Sequence, residues 1–228
     1  MHGTMITFAA NGRTADGYLS LPPSGTGPGL VVVQEWWGLV DHIKDVADRF
    51  AAEGFVALAP DLYHGELARS PDEAGKLFMA LNIAKAGLEL RGAGTCLLEH
   101  PAVSPRKVGV VGFCMGGQLA LFAAAEHGDV FSAVVDFYGV HPNAKVDPRK
   151  VKVPVLAHFA ERDNSVPPAM ARKLVAELVD AGAQVEAHFY DAGHAFFNDT
   201  RPQVYDRACA EQAWARTITF LRRELLKR

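Results

Sequence analysis

Three continuous apolar runs, at residues 29–34, 55–59 and 108–112, are separated by stretches of helical periodicity, and this alternation constrains the chain most. A strand with one face in water alternates apolar and polar residues, whereas a strand that is apolar throughout is covered on both faces. Between the first two runs, Ile43, Val46, Ala47 and Phe50 recur at helical spacing and Gly54 ends the pattern. Residues 133–138, 155–159 and 184–190 read as further strands, and 115–127 and 169–181 as helices. Residues 203–226 read as a long final helix with Trp214, Ile218 and Leu221 on one face. The segment 72–100 reads as largely helical with an interruption near 86–94. Residues 5–8 and 17–21 read as a short antiparallel hairpin. The expectation is an α/β protein with a mostly parallel central sheet and helices on both faces. Right-handed crossovers bring the carboxyl ends of such strands to one edge, where ligands bind.

The length of 228 residues fits one domain spanning 1–228. The Pro- and Gly-rich stretch 22–29 joins two strands and is not a linker. Met5 is a second candidate start, so residues 1–4 are expected to be non-native or disordered. With a net charge of −3 and no basic block, nothing favours nucleic acid or an anionic membrane as partner. No apolar run approaches the roughly 20 residues that span a bilayer. The N-terminus lacks the charged and apolar regions of a signal peptide. Three cysteines, Cys96, Cys114 and Cys209, read as free thiols in a reducing compartment, hence a cytoplasmic location. Cys96 and Cys209 fall in helical patterns and read as structural.

Cys114 is different. Gly112-Phe-Cys114-Met-Gly116 has the form G-x-C-x-G, follows a strand and opens a helix. That is the context of a nucleophile elbow, in which small neighbours permit a strained turn and the side chain projects at the helix N-terminus. A helix N-terminus lowers a thiol's pKa. The junction alone is equally compatible with a buried packing cysteine. Two further sites decide between these readings. Asp163 follows the strand 155–159, and His194 follows the strand 184–190 in a Gly-flanked loop. Nucleophile, acid and base then lie in α/β-hydrolase order at strand carboxyl ends. In a Cys114–His194–Asp163 triad, His194 takes the thiol proton and returns it to the leaving group, and Asp163 orients the imidazole. The backbone N–H groups of Met115 and Trp36 are the candidate oxyanion hole. Glu35, in Gln34-Glu35-Trp36-Trp37-Gly38, places a carboxylate at the end of an apolar strand. His141, His158, His188 and His194 show no metal-binding spacing, and no metal or cofactor is expected.

The chain resembles the dienelactone hydrolase (carboxymethylenebutenolidase) family in QEWWG at 34–38, PDLY at 60–63, GFCMGG at 112–117, Asp163 before Val166-Pro167, and GHAF at 193–196. These pieces run in the family's order over nearly the whole chain. The resemblance implies a monomer with the α/β-hydrolase fold, a Cys-His-Asp triad, and a substrate such as a dienelactone opened to maleylacetate. It also implies that the resting thiol is protonated and held toward Glu35, which takes its proton when ligand swings the cysteine inward. Such a thiol is shielded from oxidation at rest.

The pattern departs from the family where the substrate's carboxylate is held. One expected arginine follows the catalytic His by four positions, where this chain has Asn198. The other aligns near Pro71, with Arg69 two residues earlier, and an expected tyrosine aligns with Gly75. Arg69 and Arg201 are candidate substitutes. Trp37, Phe78, Tyr138, Phe196 and Phe197 are candidates to line an apolar pocket. A thiolate is a good leaving group, so an acyl-thiol mechanism favours activated esters and lactones over amides. Two other readings stay open: a broad carboxylesterase or thioesterase for small esters, and a non-catalytic fold used for ligand binding or redox sensing.

Overall fold

The computed structural model describes residues 2–227. Eight strands form one sheet in the order β1-β2-β4-β3-β5-β6-β7-β8. They are β1 (Thr4–Ala10), β2 (Arg13–Ser20), β3 (Gly27–Val33), β4 (Val56–Pro60), β5 (Val103–Phe113), β6 (Phe131–Phe137), β7 (Val155–Ala160) and β8 (Val185–Tyr190). β1 and β2 pair antiparallel with each other and β2 with β4; from β4 to β8 every neighbour is parallel. β3 and β4 are buried at every position, as runs without polar alternation require.

Six helices cover the sheet: α1 (Asp41–Ala52), α2 (Pro71–Ala80), α3 (Ile83–Glu99), α4 (Met115–Glu126), α5 (Pro168–Asp180) and α6 (Arg207–Leu226). α1 and α6 pack on one face, where Ile43, Val46 and Phe50 join Leu221 and Leu225 over Val32 and Val111. α3 and α4 pack on the other, where Leu90, Leu97, Leu119 and Leu121 meet Val31, Val110 and Val134. This is the α/β-hydrolase fold.

Several sequence expectations change. The hairpin runs 4–20, longer than expected. Thr4 opens β1, and the Gly3 N–H donates to Asp48 Oδ1 at 3.0 Å, so residues 3 and 4 are ordered parts of the fold. Met1, the other end of that expectation, lies outside the described residues. The expected interruption at 86–94 lies in the middle of α3; the break falls at Leu81–Asn82, where the Asn82 side chain accepts from the Lys85 N–H and starts a new helix. The glycines that suggested a break are packing positions. A Cβ on Gly92 would lie 2.7 Å from the Ala10 Cβ, and one on Gly94 2.5 Å from Val130 Cγ1. α3 needs them to lie close on β1 and on the start of β6. The final helix begins at Arg207, not 203, because the Asp206 carboxylate accepts from the Cys209 N–H and caps it there.

Candidate active site

The strand ends deliver five groups to one edge of the sheet: Glu35 after β3, Cys114 after β5, Tyr138 after β6, Asp163 after β7 and His194 after β8. The chain turns at Cys114 with φ 54° and ψ −118°, a left-handed backbone rare for a residue with a Cβ. The turn is clamped on both sides. The Cys114 N–H donates to Phe137 O at 2.9 Å, and its carbonyl accepts from the N–H groups of Gly117 at 3.0 Å and Val140 at 3.1 Å. A Cβ on Gly112 would strike the Gly116 carbonyl, and one on Gly116 the Val33 carbonyl. Glycine is therefore required at both positions for the strand and helix to meet this tightly.

Cys114 Sγ lies 3.2 Å from His194 Nε2, and His194 Nδ1 lies 2.7 Å from Asp163 Oδ2. The second Asp163 oxygen accepts from the N–H groups of Ser165 at 2.7 Å and Val166 at 2.9 Å. Asp163 thus has every role filled, and it fixes the imidazole with Nε2 toward sulfur. Burial opposes a charge on His194, but the hydrogen bonds to Asp163 and Cys114 outweigh it and push its pKa up to about 10. The sulfur rests against His194 and not toward Glu35, so the thiol adopts the inward, charge-paired arrangement. The resemblance had implied the outward arrangement at rest.

Glu35 is 2 % exposed. Its Oε2 accepts from Asn198 Nδ2 at 2.6 Å, and its Oε1 has no hydrogen-bond partner among the described residues. Burial raises its pKa above the usual carboxylate range, against the pull of His42, Asn198, His194 and Arg201. Met115 is the first residue of α4, so its N–H lies outside the helix's own ladder. Trp36 lines the cavity beside Cys114. Among the described residues, neither backbone N–H is engaged by a protein acceptor.

The cavity, of about 360 Å³, is mostly apolar. Trp36, Trp37, Phe78, Val140 and Val204 line it together with Glu35, Cys114, His194 and Arg201. Trp36 meets Trp37 and Phe78 edge to face, with centroids 5.2 and 6.4 Å apart. The Arg201 guanidinium lies over the Trp37 ring, 4.3 Å from its centroid. His141 pins the Phe78 segment, because its Nε2–H donates to Phe78 O at 3.0 Å while Nδ1 accepts from the Asn143 N–H at 3.1 Å.

Five expected substrate contacts fall elsewhere. Phe196 and Phe197 are buried in the core, Phe197 stacked on Phe113 at 5.1 Å. Tyr138 is fully buried beneath the site, with its ring 5.1 Å from that of His194. Arg69 is exposed ahead of α2, and its N–H donates to Glu73 Oε2 at 2.8 Å. Asn198 is buried on Glu35 and does not line the cavity. All five lie in loops, and a sequence carries no signal for which way a loop side chain turns. His158 is buried between Tyr190 and Thr217, and burial holds its pKa well below the usual imidazole range. Among the described residues, no cluster of His, Cys, Asp or Glu is arranged to hold a metal. No described helix is long and apolar enough to cross a membrane.

The family model for the dienelactone hydrolase family matches residues 15–225. The chain is 39% identical over 230 residues to "Protein usf" of Aquifex pyrophilus, covering 98% of this chain and 99% of that one. It is 32% identical over 231 residues to a carboxymethylenebutenolidase of Pseudomonas sp. (strain P51), covering 97% and 94%. Among solved structures, a putative dienelactone hydrolase from Klebsiella pneumoniae superposes with a TM-score of 0.85 at 26% identity, covering 95% of this chain and 96% of the other.

Proposed function

The chain belongs to the dienelactone hydrolase family, whose members are carboxylic ester hydrolases, and from that premise we propose that it opens activated esters or lactones through an acyl-thiol intermediate on Cys114. The observation that carries this reading is the unbroken run Cys114–His194–Asp163, at 3.2 and 2.7 Å, on a strained elbow open to the cavity.

The thiol proton resides on His194, and the Cys114 thiolate attacks the acyl carbon. The carbonyl oxygen becomes an oxyanion on the N–H groups of Met115 and Trp36. Collapse expels the alkoxide or enolate, which leaves as the alcohol or enol after taking the His194 proton. Water then gives a proton to His194 and attacks the thioester, and the second tetrahedral intermediate expels the thiolate and releases the acid. Glu35 is the acceptor for the thiol proton whenever the sulfur turns away from His194. The reaction needs no cofactor, and free thiols suit it to a reducing compartment such as the cytoplasm.

A second reading, a broad esterase for small uncharged acyl groups, is favoured by one observation. The residue at the expected arginine position, Asn198, is committed to Glu35, which leaves Arg201 as the cation in an otherwise apolar cavity. The test is to compare kcat/KM for a dienelactone carboxylate and for p-nitrophenyl acetate before and after alkylation of Cys114. Loss of both activities on alkylation is expected. Unchanged hydrolysis after complete alkylation would overturn the mechanism.

A further inference from the structure

His42 is the second residue of α1, on the face that also carries Ile43, Val46 and Phe50 into the core. It is 4 % exposed, yet neither ring nitrogen has a hydrogen-bond partner among the described residues. An apolar side chain would fill this position at lower desolvation cost, so a buried imidazole that bonds to nothing calls for an explanation. The explanation lies in its neighbours. Asn198 and Asp199 are consecutive; Asn198 holds Glu35 Oε2, and Asp199 Oδ1 lies 3.3 Å from His42 Nδ1, out of line for a hydrogen bond. Glu35 Oε1 is likewise buried and unpartnered. Two orphaned buried groups, one acid and one base, are therefore held by adjacent residues of one loop. Asp199 is partly exposed and pairs with Arg49 at 3.4 Å, so the series Glu35, His42, Asp199 runs from the cavity toward solvent.

We infer that His42 is the positioning residue for the proton on Glu35, the two forming one buried acid–base couple whose outlet to solvent is Asp199. The inference rests on the reading of Glu35 as acceptor of the thiol proton. In the first step the Cys114 thiol and the Glu35 carboxylate become thiolate and carboxylic acid. In the second, the acid passes the proton to His42, giving carboxylate and imidazolium, and the imidazolium releases it to water at Asp199. Glu35 thereby regains its charge without recapturing the proton from the thiolate. The groups that face Glu35 are His42 from α1, Asn198, His194 and Arg201 from the segment after β8, and Tyr138 from the end of β6. Those that face His42 are Glu35, Asp199 and, through Asp199, Arg49. Among the charged groups on Glu35, His42 favours the carboxylate most strongly.

The test reads the pH dependence of Cys114 alkylation by iodoacetamide, which requires no turnover, in the wild type, His42→Gln, His42→Phe, Glu35→Gln and the Glu35→Gln/His42→Gln double variant. Removing a cation beside a buried carboxylate raises the pH at which the carboxylate ionises. The inflection attributable to Glu35 is therefore expected to move up by about one pH unit in both His42 variants. In the Glu35→Gln background, substituting His42 is expected to change nothing. An unshifted profile in His42→Gln, or a shift that persists in the double variant, would overturn the inference. Its failure is distinct from failure of the hydrolase reading, which is judged by whether alkylated enzyme still cleaves ester.

Discussion

Two carboxylates flank Cys114, and they are built in opposite ways. Asp163 accepts three hydrogen bonds, from His194 and from the N–H groups of Ser165 and Val166. Glu35 accepts one, from Asn198, and keeps a buried oxygen with no partner among the described residues. Both lie at strand ends, and both are almost wholly buried. Hydrogen bonds to the charged form hold a carboxylate ionised, whereas burial without them favours the proton. Asp163 is thus a fixed anion that orients a base, and Glu35 is a group poised to exchange a proton. The same residue chemistry gives an anchor or a proton acceptor according to how many donors the backbone brings to it.

The largest expected effect falls on the anchored side. Cys114→Ala abolishes ester hydrolysis, and Asp163→Asn lowers kcat about 10³- to 10⁴-fold by analogy with triad acids elsewhere. The high His194 pKa adds a sign. Activity that needs imidazolium falls as pH rises through about 10, and removing the Asp163 charge moves that limb to lower pH. A pH–rate profile of Asp163→Asn with its alkaline limb unmoved breaks the view of Asp163 as the electrostatic anchor.

Glu35→Gln probes the other side. It preserves shape and the Asn198 contact but cannot take a proton. We expect a loss of about 10- to 100-fold in kcat/KM, concentrated at low pH, with unchanged thermal unfolding. A uniform loss at all pH values would make Glu35 a second anchor and erase the contrast.

Arg201→Gln asks whether the cavity's cation recognises substrate. It should lower kcat/KM for a carboxylate-bearing lactone roughly tenfold and leave p-nitrophenyl acetate within about twofold. Equal losses on both substrates would place Arg201 with Trp37 as packing only.

The smallest catalytic effect, but a clear stability effect, is expected at a third carboxylate. Asp136, in β6 opposite Gly112, is buried with neither oxygen hydrogen-bonded among the described residues, and burial pushes its pKa up to about 7. Its folded value lies above its unfolded one, so the folded state keeps a proton that the unfolded state sheds. The stability this contributes is complete below about pH 4 and is lost as pH rises to about 7, by at most about 4 kcal/mol. Asp136→Asn should flatten urea-midpoint curves across that window, with Cys114 alkylation little changed. A dependence as steep as the wild type's would assign it to other groups.

Much of this architecture is legible in the residue order. Buried strands announce themselves by lacking polar alternation, so β3, β4 and β5 are readable from their apolar runs alone. Cys114, Asp163 and His194 follow strands in a fixed order, and sequence order along a parallel sheet maps onto one edge. Helix breaks are less legible, because Gly92 and Gly94 serve close packing in the middle of α3 while the true break rests on the Asn82 cap. The pocket is least legible. Phe196, Phe197 and Asn198 turn inward while Arg201, three residues further, turns into the cavity.

The sequence by itself determined the sheet, the elbow and the identity of the candidate nucleophile, because periodicity, turn chemistry and residue order are local properties. Only the tertiary structure decided how each carboxylate is used. Asp163 meets donors two and three residues along its own chain, but Glu35 meets Asn198 from 163 positions away and shares its burial with His42. Whether a buried acid is anchored or free to exchange its proton depends on partners that folding brings from distant segments, and no local pattern encodes them.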